Sequence, residues 1–555
     1  MKHIARWGIG MLFLLTLAGA FSPFPKRILD TAEWAWIPDR VDIPSQSASL
    51  LHPSSPLPAR YETTELAIFN DGSTVTPPFD MPTIVQPVFP DRTCDISSYG
   101  SVDGGIVKNT KAIDDAISDC AKQGGGHVVI PKGTWLTGAV HLQDNIDLHL
   151  EPDASLVFSP DPNDYLPVVL SRYEGIDVYN YSPLVYAYGK QNIAITGKGK
   201  LVGNGKNWEG LGDLGVTHDL YAMGASGVPV PERVFGSTEK MLRPSFVEFL
   251  NSRYILLEDF SIDGGPMWTL HPTYSRDIVV RNVSVITDGQ NNDGLDIDSS
   301  QNVLVENSLF NTNDDAIAIK SGKAQDGLKV GIPTENVIIR NNVVEGGHGG
   351  IAIGSEIAGG VHNVFGYDCT MRGIQYGIRL KALATEQVSA SDLWFRNIIA
   401  DKVLFDTIQM TMHYGSDQAE GEPTGVPVFK NIYFSGITSP RTRGSIELDA
   451  LESSPIQNVT IENTDITAGT GATMNNVIDI TLKSVSIKPK YEPLFTITNG
   501  RNVFIDPLPC TAPMKICATI DGALTESVSL KPKTGSLPQK KIRIGADVPD
   551  GQVTY

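Results

Sequence analysis

Four short segments between Asn291 and Lys381 hold the residues best able to do chemistry. They read Asn292-Asp293-Gly294-Leu295-Asp296-Ile297-Asp298, Asp314-Asp315-Ala316-Ile317-Ala318-Ile319-Lys320, His348-Gly349-Gly350-Ile351-Ala352-Ile353-Gly354 and Gln375-Tyr376-Gly377-Ile378-Arg379-Leu380-Lys381. Aligned on their aliphatic positions, Asp293 and Asp315 share one column, and Asp314 shares the preceding column with His348. Arg379 and Lys381 stand two positions apart, and so on one face of a strand. Three carboxylates gathered in one place cannot all ionise freely. Like charges push at least one pKa upward, which supplies a protonated general acid near neutral or mildly acidic pH. The others can hold and deprotonate a water, an arrangement suited to inverting hydrolysis of a glycosidic bond if acid and base leave room for that water. A guanidinium and an ammonium one to two coils away would bind a carboxylate on the substrate.

Some repeating element must bring these segments side by side. Leu295, Ile317, Ile351 and Ile378 form one aliphatic column, and Ile297, Ile319, Ile353 and Leu380 a second. Such alternation means a strand with one buried face. The pattern returns after 22 residues from Leu295 to Ile317 and after 34 from Ile317 to Ile351, the signature of stacked solenoid coils. A polar residue precedes an aliphatic strand in coil after coil, as in Asn145-Ile146, Asp277-Ile278, Asn302-Val303, Asn336-Val337, Asn363-Val364 and Asn458-Val459. Polar side chains at bends bond backbone groups that the turn leaves unpaired. The fold class expected is all-β, a single-stranded right-handed parallel β-helix over residues 91–506. With coils about 4.8 Å apart, the four segments span roughly 15 Å, the length of a few sugar units. Strand parity does not carry through the bend that holds the aspartates, so the sequence clusters them without fixing their directions.

An open solenoid end needs a cover. Ala112, Ile113, Ala116, Ile117, Cys120 and Ala121 recur at helical spacing before Gly124-Gly125-Gly126, so an N-terminal capping helix is expected, an ordinary surface helix being the alternative. Residues 507–555 are expected to form a C-terminal β tail capping the last coil. The Gly-rich stretch from Asn204 to Arg243 lacks the coil pattern, and an insertion of that length is expected to wall one end of the groove.

The 41% hydrophobic and 19% charged composition of the 555-residue chain is that of a folded protein. A net charge of −19 argues against a general nucleic-acid binder, but an anionic substrate is still compatible because steering depends on the field at the cleft. Lys2 and Arg6 precede the apolar run Met11 to Leu17, followed by Ala18-Gly19-Ala20, which reads as a signal peptide over residues 1–20, with an uncleaved anchor as the alternative. A secreted or periplasmic monomer, free of the membrane after cleavage, is expected. Residues 21–90 are Pro-rich and fit either a small β appendage or a strap along the main domain. Cys510 and Cys517 are spaced to close a small loop, and Cys94 and Cys120 to tie the chain entry to the first helix, which leaves Cys369 as a small buried residue. Calcium at the aspartates is an alternative that lacks a Gly-spaced ligand loop, and no metal or other cofactor is expected.

At the aspartate, His and Arg/Lys segments the chain resembles glycoside hydrolase family 28, the polygalacturonase family. Asn291-Asn292-Asp293, Asp314-Asp315, Gly347-His348-Gly349 and Arg379-Leu380-Lys381 stand where that family has Asn-Thr-Asp, Asp-Asp, Gly-His-Gly and Arg-Ile-Lys. The resemblance runs from roughly Cys94 to Asp506, with Asn292 for Thr and Leu380 for Ile as departures that remove no reacting group. It implies Asp314 as general acid, Asp293 and Asp315 as activators of water, and His348 as support for the acid's protonation. Arg379 and Lys381 would grip a galacturonate carboxylate, while Asn291 and Tyr414 line the substrate. Leu242-Arg243-Pro244 and Pro266 to Pro272 look like segments of exo-acting members. The expected substrate is homogalacturonan. The alternatives are a rhamnogalacturonan or xylogalacturonan hydrolase, a pectate lyase using calcium and an Arg base, and a non-catalytic glycan-binding β-helix.

Overall fold

A computed structural model describes residues 76–209, 214–415, 422–511, 513–532 and 538–555. The expected signal peptide, and residues 21–75 of the Pro-rich segment, lie outside the described residues. Short strands pair in parallel, coil upon coil, into a right-handed parallel β-helix. The groove sheet contains Leu270–Thr273, Leu295–Asp298, Ile317–Lys320, Gly349–Ile353 and Tyr376–Lys381. Its register sets Leu295 beside Ile317, Ile317 beside Ile351 and Ile351 beside Ile378, with Ile297, Ile319, Ile353 and Leu380 aligned in the same way. All eight are at most 1% exposed. At about 1.5–3 kcal/mol for each such side chain removed from water, they hold the register, because a slip by one residue would turn the row outward.

Asparagines and aspartates at the bends form a ladder of their own. Asp277, Asn302, Asn336 and Asn363 have φ of 55°, 57°, 59° and 56°, left-handed values that Asn and Asp tolerate better than other side chains. Each amide bonds the residue one coil earlier: Asn302 Nδ2 donates to Asp277 Oδ1 at 3.3 Å, Asn336 to Asn302 at 3.2 Å and Asn363 to Asn336 at 3.1 Å. The same residue therefore makes the bend and ties it to its neighbour.

Helix α1, Thr110–Lys122, covers the first coil as a cap. Ile113, Ala116, Ile117 and Cys120 on its inner face are at most 1% exposed. The chain leaves it through Gly125 at φ +102°, where a Cβ would stand 2.3 Å from the Asn145 carbonyl oxygen. A second sheet contains Arg253–Glu258, Arg276–Arg281, Gln301–Glu306, Thr334–Arg340 and Val361–Tyr367, and residues 76–90 form a strap on its outside, where Ile84, with Phe79, Met81 and Phe89, covers the row Leu256, Val279, Leu304, Ile338 and Phe365. The tail differs from the expected cap. Ala518–Asp521 pairs in parallel with Phe495–Leu508, and Ile542–Ile544 pairs in parallel with Ala518–Asp521, so the tail adds rungs to the stack. Cys510 and Cys517 form a disulfide, Cys369 is buried alone, and Cys94 and Cys120 are free buried thiols rather than the tie expected of them.

Replacing Asn336 separates the ladder bond from the backbone strain. Asn336→Gly keeps the positive φ and loses only the side chain, whereas Asn336→Ala loses both, at an expected cost of about 1–3 kcal/mol. Chemical denaturation should rank wild type above Gly above Ala, and an Ala variant equal to Gly would remove φ from the account.

Candidate active site

Asp293, Asp314 and Asp315 sit on the bends that lead into neighbouring groove strands, and an oxygen from each lies within 4.8 Å of the other two. The backbone holds them there. Thr312 Oγ1 donates to the Asp314 carbonyl at 2.7 Å, the Asp315 N–H donates to Asp314 Oδ1 at 2.9 Å, and Gly289 N–H donates to Asn292 Oδ1 at 2.6 Å. Asn292, in place of Thr, is thus a buried tie for the bend that carries Asp293. A Cβ on Gly349 would come within 2.8 Å of Asp315 Oδ1, so the glycine beside His348 makes room for the carboxylate.

Their electrostatics are not alike. Burial first, then the charges of Asp296 and Asp314, push the carboxyl of Asp293 well above the usual range. Burial also drives Asp296 upward, with Lys320 opposing and Asp315 adding to it. Asp314 moves the other way: burial raises it, but the charge and hydrogen bond of His348, with Lys381 and Lys320, hold it well below normal. His348 Nδ1 stands 3.1 Å from Asp314 Oδ1. Burial lowers the imidazole, but Asp314 and Asp315 outweigh it and leave its pKa raised. The carboxyl pushed upward in the resting site is therefore Asp293, with Asp296, while beside Asp314 it is His348 that is pushed toward its protonated form.

Lys381 Nζ donates to Asp315 Oδ2 at 2.8 Å. Burial lowers the ammonium, but Asp315 prevails and its pKa is pushed up to about 12. Asp315 Oδ1 is buried and without a partner among the described residues, and so is free to take a water. Arg379 Nε donates to Gln409 Oε1 at 2.8 Å, and Gln409 Nε2 to Glu447 Oε2 at 2.6 Å. Tyr376 and Tyr414 carry the guanidinium on their rings at 4.2 and 5.1 Å, and Lys381 lies 5.0 Å from the Tyr414 ring. The clustered carboxylates are the group among the described residues that could gather a cation, but the Lys381 ammonium and His348 already supply the opposing charge.

Beside one end of this cluster, described parts of the 204–243 stretch meet other elements. Helix α2, Leu214–Ala225, packs on the antiparallel hairpin Val169–Tyr173/Ile176–Asn180 and on α3, Ala324–Val330. The turn of that hairpin, Glu174-Gly175, has φ of 44° and 79°, the left-handed pair that two-residue hairpins favour. Glu174 Oε1 accepts from Asn291 Nδ2 at 3.1 Å, and its other oxygen accepts from Tyr221 of α2. Arg243 Nη2 donates to Asn291 Oδ1 at 3.1 Å. Asn291 is thus bound into the wall. Behind it, Lys320 Nζ donates to Glu356 Oε2 at 2.8 Å and lies 4.9 Å from the Trp268 ring.

All eight residues singled out in the sequence lie around this groove, with the acidic members near the wall and Arg379, Lys381 and Tyr414 beyond them. Asp296, Lys320, Glu356 and Glu174 were not singled out for the site. Asp296 stands in the row Asp296, Ala318, Ala352, Arg379, so its place in a charged column was its signal. Glu174-Gly175 between alternating residues was a hairpin signal.

The model of the glycosyl hydrolases family 28 matches residues 233–506. An exopolygalacturonase structure from Thermotoga maritima is 32% identical, with a TM-score of 0.65 over 76% of this chain and 94% of that one. A probable polygalacturonase of Vitis vinifera is 28% identical over 68% of this chain and 74% of its own length. An exo-poly-alpha-D-galacturonosidase of Dickeya chrysanthemi is 26% identical over 69% of this chain and 68% of its own.

Lys381→Met would leave the Asp315 carboxylate buried without its cation, an expected loss of about 3–5 kcal/mol. Thermal melts should show that deficit for Lys381→Met and a smaller one for Lys381→Arg, which keeps a cation beside Asp315; equal deficits in the two variants would place the damage in packing.

Proposed function

The chain belongs to the glycosyl hydrolases family 28 and is a glycoside hydrolase, and on that premise we propose that it hydrolyses the α-1,4-galacturonosyl linkages of homogalacturonan from a chain end. The observation that carries the reading is the row of side chains itself. Three carboxylates lie within 4.8 Å of one another, and Arg379 and Lys381, cations suited to a uronate, stand beyond them. End-on action is supported by the wall of hairpin, α2 and Arg243, and by the exo-acting relatives.

In the proposed mechanism Asp314 protonates the glycosidic oxygen, and Asp315 deprotonates the attacking water, which Asp293 helps to hold by a hydrogen bond. The resting proton lies on His348, 3.1 Å from Asp314. A sugar seated over this pair excludes water, and loss of solvent penalises a charged pair more than a neutral one. The proton then passes from His348 to Asp314, which becomes a neutral acid and gives it to the leaving oxygen; the proton that Asp315 takes from the attacking water restores the pair after cleavage. Asp315 is fixed through Oδ2 by Lys381 and keeps Oδ1 for the water. Arg379 and Lys381 grip the carboxylate of the sugar on the leaving side, with Tyr414 against its face.

The oxygens are closer than the roughly 6.5–9.5 Å usual between acid and base in inverting enzymes. Inversion is nevertheless the reading favoured here. Asp293, pushed toward its neutral form, is a poor nucleophile, and Asp315 is engaged by a buried ammonium. A lyase would need an Arg base and calcium, whereas Arg379 is held by Gln409 and by two aromatic rings. We further propose a secreted or periplasmic location, supported by the leader-like residues 1–20 and the Cys510–Cys517 disulfide.

A digest of polygalacturonate should give reducing ends without the absorbance of unsaturated product, and monomer or dimer from the first time point. NMR of that first product should show the β anomer, and an α anomer would overturn inversion. Asp314→Asn should lower kcat by about 10²–10⁴-fold with an unchanged melting temperature, and substantial turnover would remove Asp314 from the acid role. Because His348 has a raised pKa, its proton is present below that value and lost as pH rises through it. The alkaline limb of kcat/KM should therefore shift toward lower pH in His348→Gln, and an unmoved limb would separate His348 from the proton supply.

A further inference from the structure

A second concave site lies where the groove strands end and the chain turns into the second sheet. It is a cavity of about 590 Å³ whose lining includes Lys190, Arg253, Arg276, Gln191, Gln301 and Asn251. The register makes these residues a row: Gln191 pairs with Arg253, Arg253 with Arg276, and Arg276 with Gln301. Two guanidinium groups thus stand on adjacent rungs, about 4.8 Å apart along the stack, where like charges repel. Arg253 is held in place, its Nε and Nη2 donating to Gln191 Oε1 at 3.1 and 2.7 Å with the Tyr254 ring 5.5 Å away. None of Lys190, Arg253 and Arg276 has an ion-pair partner among the described residues. Asp144, an acid in the lining, spends Oδ1 on the Gln191 N–H at 2.8 Å, and Asp277, next to Arg276, is bonded to Asn302. Asp277 lies close enough to feel the charge of both arginines, and an anion seated in the hollow would add to that partial balance.

This hollow is separate from the groove. Tyr274 lines it and also carries Arg172 on its ring at 4.6 Å. Arg172, fully buried, pairs with Asp298 at 3.1 Å, so a closed ion pair stands between the cavity and the catalytic side. We propose that the cavity is a second binding site for galacturonan, in which Arg253 and Arg276 take a uronate carboxylate and the amides of Gln191, Gln301 and Asn251 meet its hydroxyls. The identity of the ligand rests on the proposed function, and the unpaired cations do not. Its use follows from end-on action. A polymer offers few ends, and holding its body at a second point raises the effective concentration of those ends at the groove.

The test uses affinity electrophoresis of the full chain through gels containing polygalacturonate, with Asp314→Asn present in every sample so that the gel survives. Adding Arg253→Gln and Arg276→Gln should weaken retention by about fivefold, and Lys190→Gln alone by less, at unchanged melting temperatures. In the otherwise wild-type chain the arginine changes should leave kcat and KM on trigalacturonate unaltered and raise KM on the polymer. Retention unchanged in both the double variant and Lys190→Gln would overturn the site. Inorganic phosphate at about millimolar concentration that abolishes the difference would mark a general anion site and equally overturn it. Absence of trigalacturonate turnover with the retention difference intact would instead strike the hydrolase reading and leave the uronate site standing.

Discussion

The register between coils is the constraint from which the rest of the molecule follows. A parallel ladder fixes neighbouring rungs about 4.8 Å apart, and the inward rows of Leu, Ile and Val fix which residue faces which. Asp293, Asp315 and Lys381 come from three coils, and Asp314 meets His348 across one rung. None of these contacts is local in sequence, and none survives a slip. The Asn and Asp ladder at the bends adds a polar check on the same register, since each amide finds its partner at 3.1 to 3.3 Å only when the coils are level.

Within that frame, charge is arranged so that a dense acidic cluster can exist without water. Each carboxylate has a different counterweight: His348 for Asp314, Lys381 for Asp315, and a proton for Asp293 beside Asp296. The His348 imidazole and the Asp293 carboxyl are thus both pushed toward holding a proton, while one buried oxygen of Asp315 and both of Asp296 have no hydrogen-bond partner among the described residues. An unsatisfied buried acceptor costs of the order of 1–3 kcal/mol. A fold keeps such an atom where a substrate water can use it. The Ala318 and Ala352 side chains between Asp296 and Arg379 keep the row low between its acidic and basic ends.

Much of this was legible because solenoid coils repeat. Alternation identified the groove strands, the repeated Asn before an aliphatic residue marked the bends, and helical spacing marked α1. The parts that escaped are those that break the repeat. Residues 169–180 form an antiparallel hairpin on a parallel scaffold, and only Glu174-Gly175 announced it. The strap at residues 76–90 was left open, as either a small β appendage or a strap, although a signal for it stood in the strands it covers. Runs such as Ile278-Val279-Val280 and Val303-Leu304-Val305 are apolar throughout, which a strand open to water on one face would not be, so their outer row required a cover. Asp296 and Lys320 were visible as members of charged columns, but their directions and ion pairing depend on Glu356 and Trp268, which the sequence does not place beside them.

The same reasoning explains how an acidic protein can handle an acidic polymer. Net charge governs the distant field, which is screened within about 8–10 Å at physiological salt, whereas a bound sugar meets only the groups in its cleft. In the groove the cations are individually supported: Arg379 by Gln409 and two rings, Lys381 by Asp315 and Tyr414. A uronate chain would be drawn to these points and repelled between them, which favours defined seats over sliding along the surface. For an enzyme that works at a closed groove end, defined seats have a further effect. In the proposed mode the wall would bar a through-going chain, so a chain end would enter with its carboxylate matched to Arg379 and Lys381. Selection of the chain end would then be a property of the wall, and selection of the sugar a property of the cations.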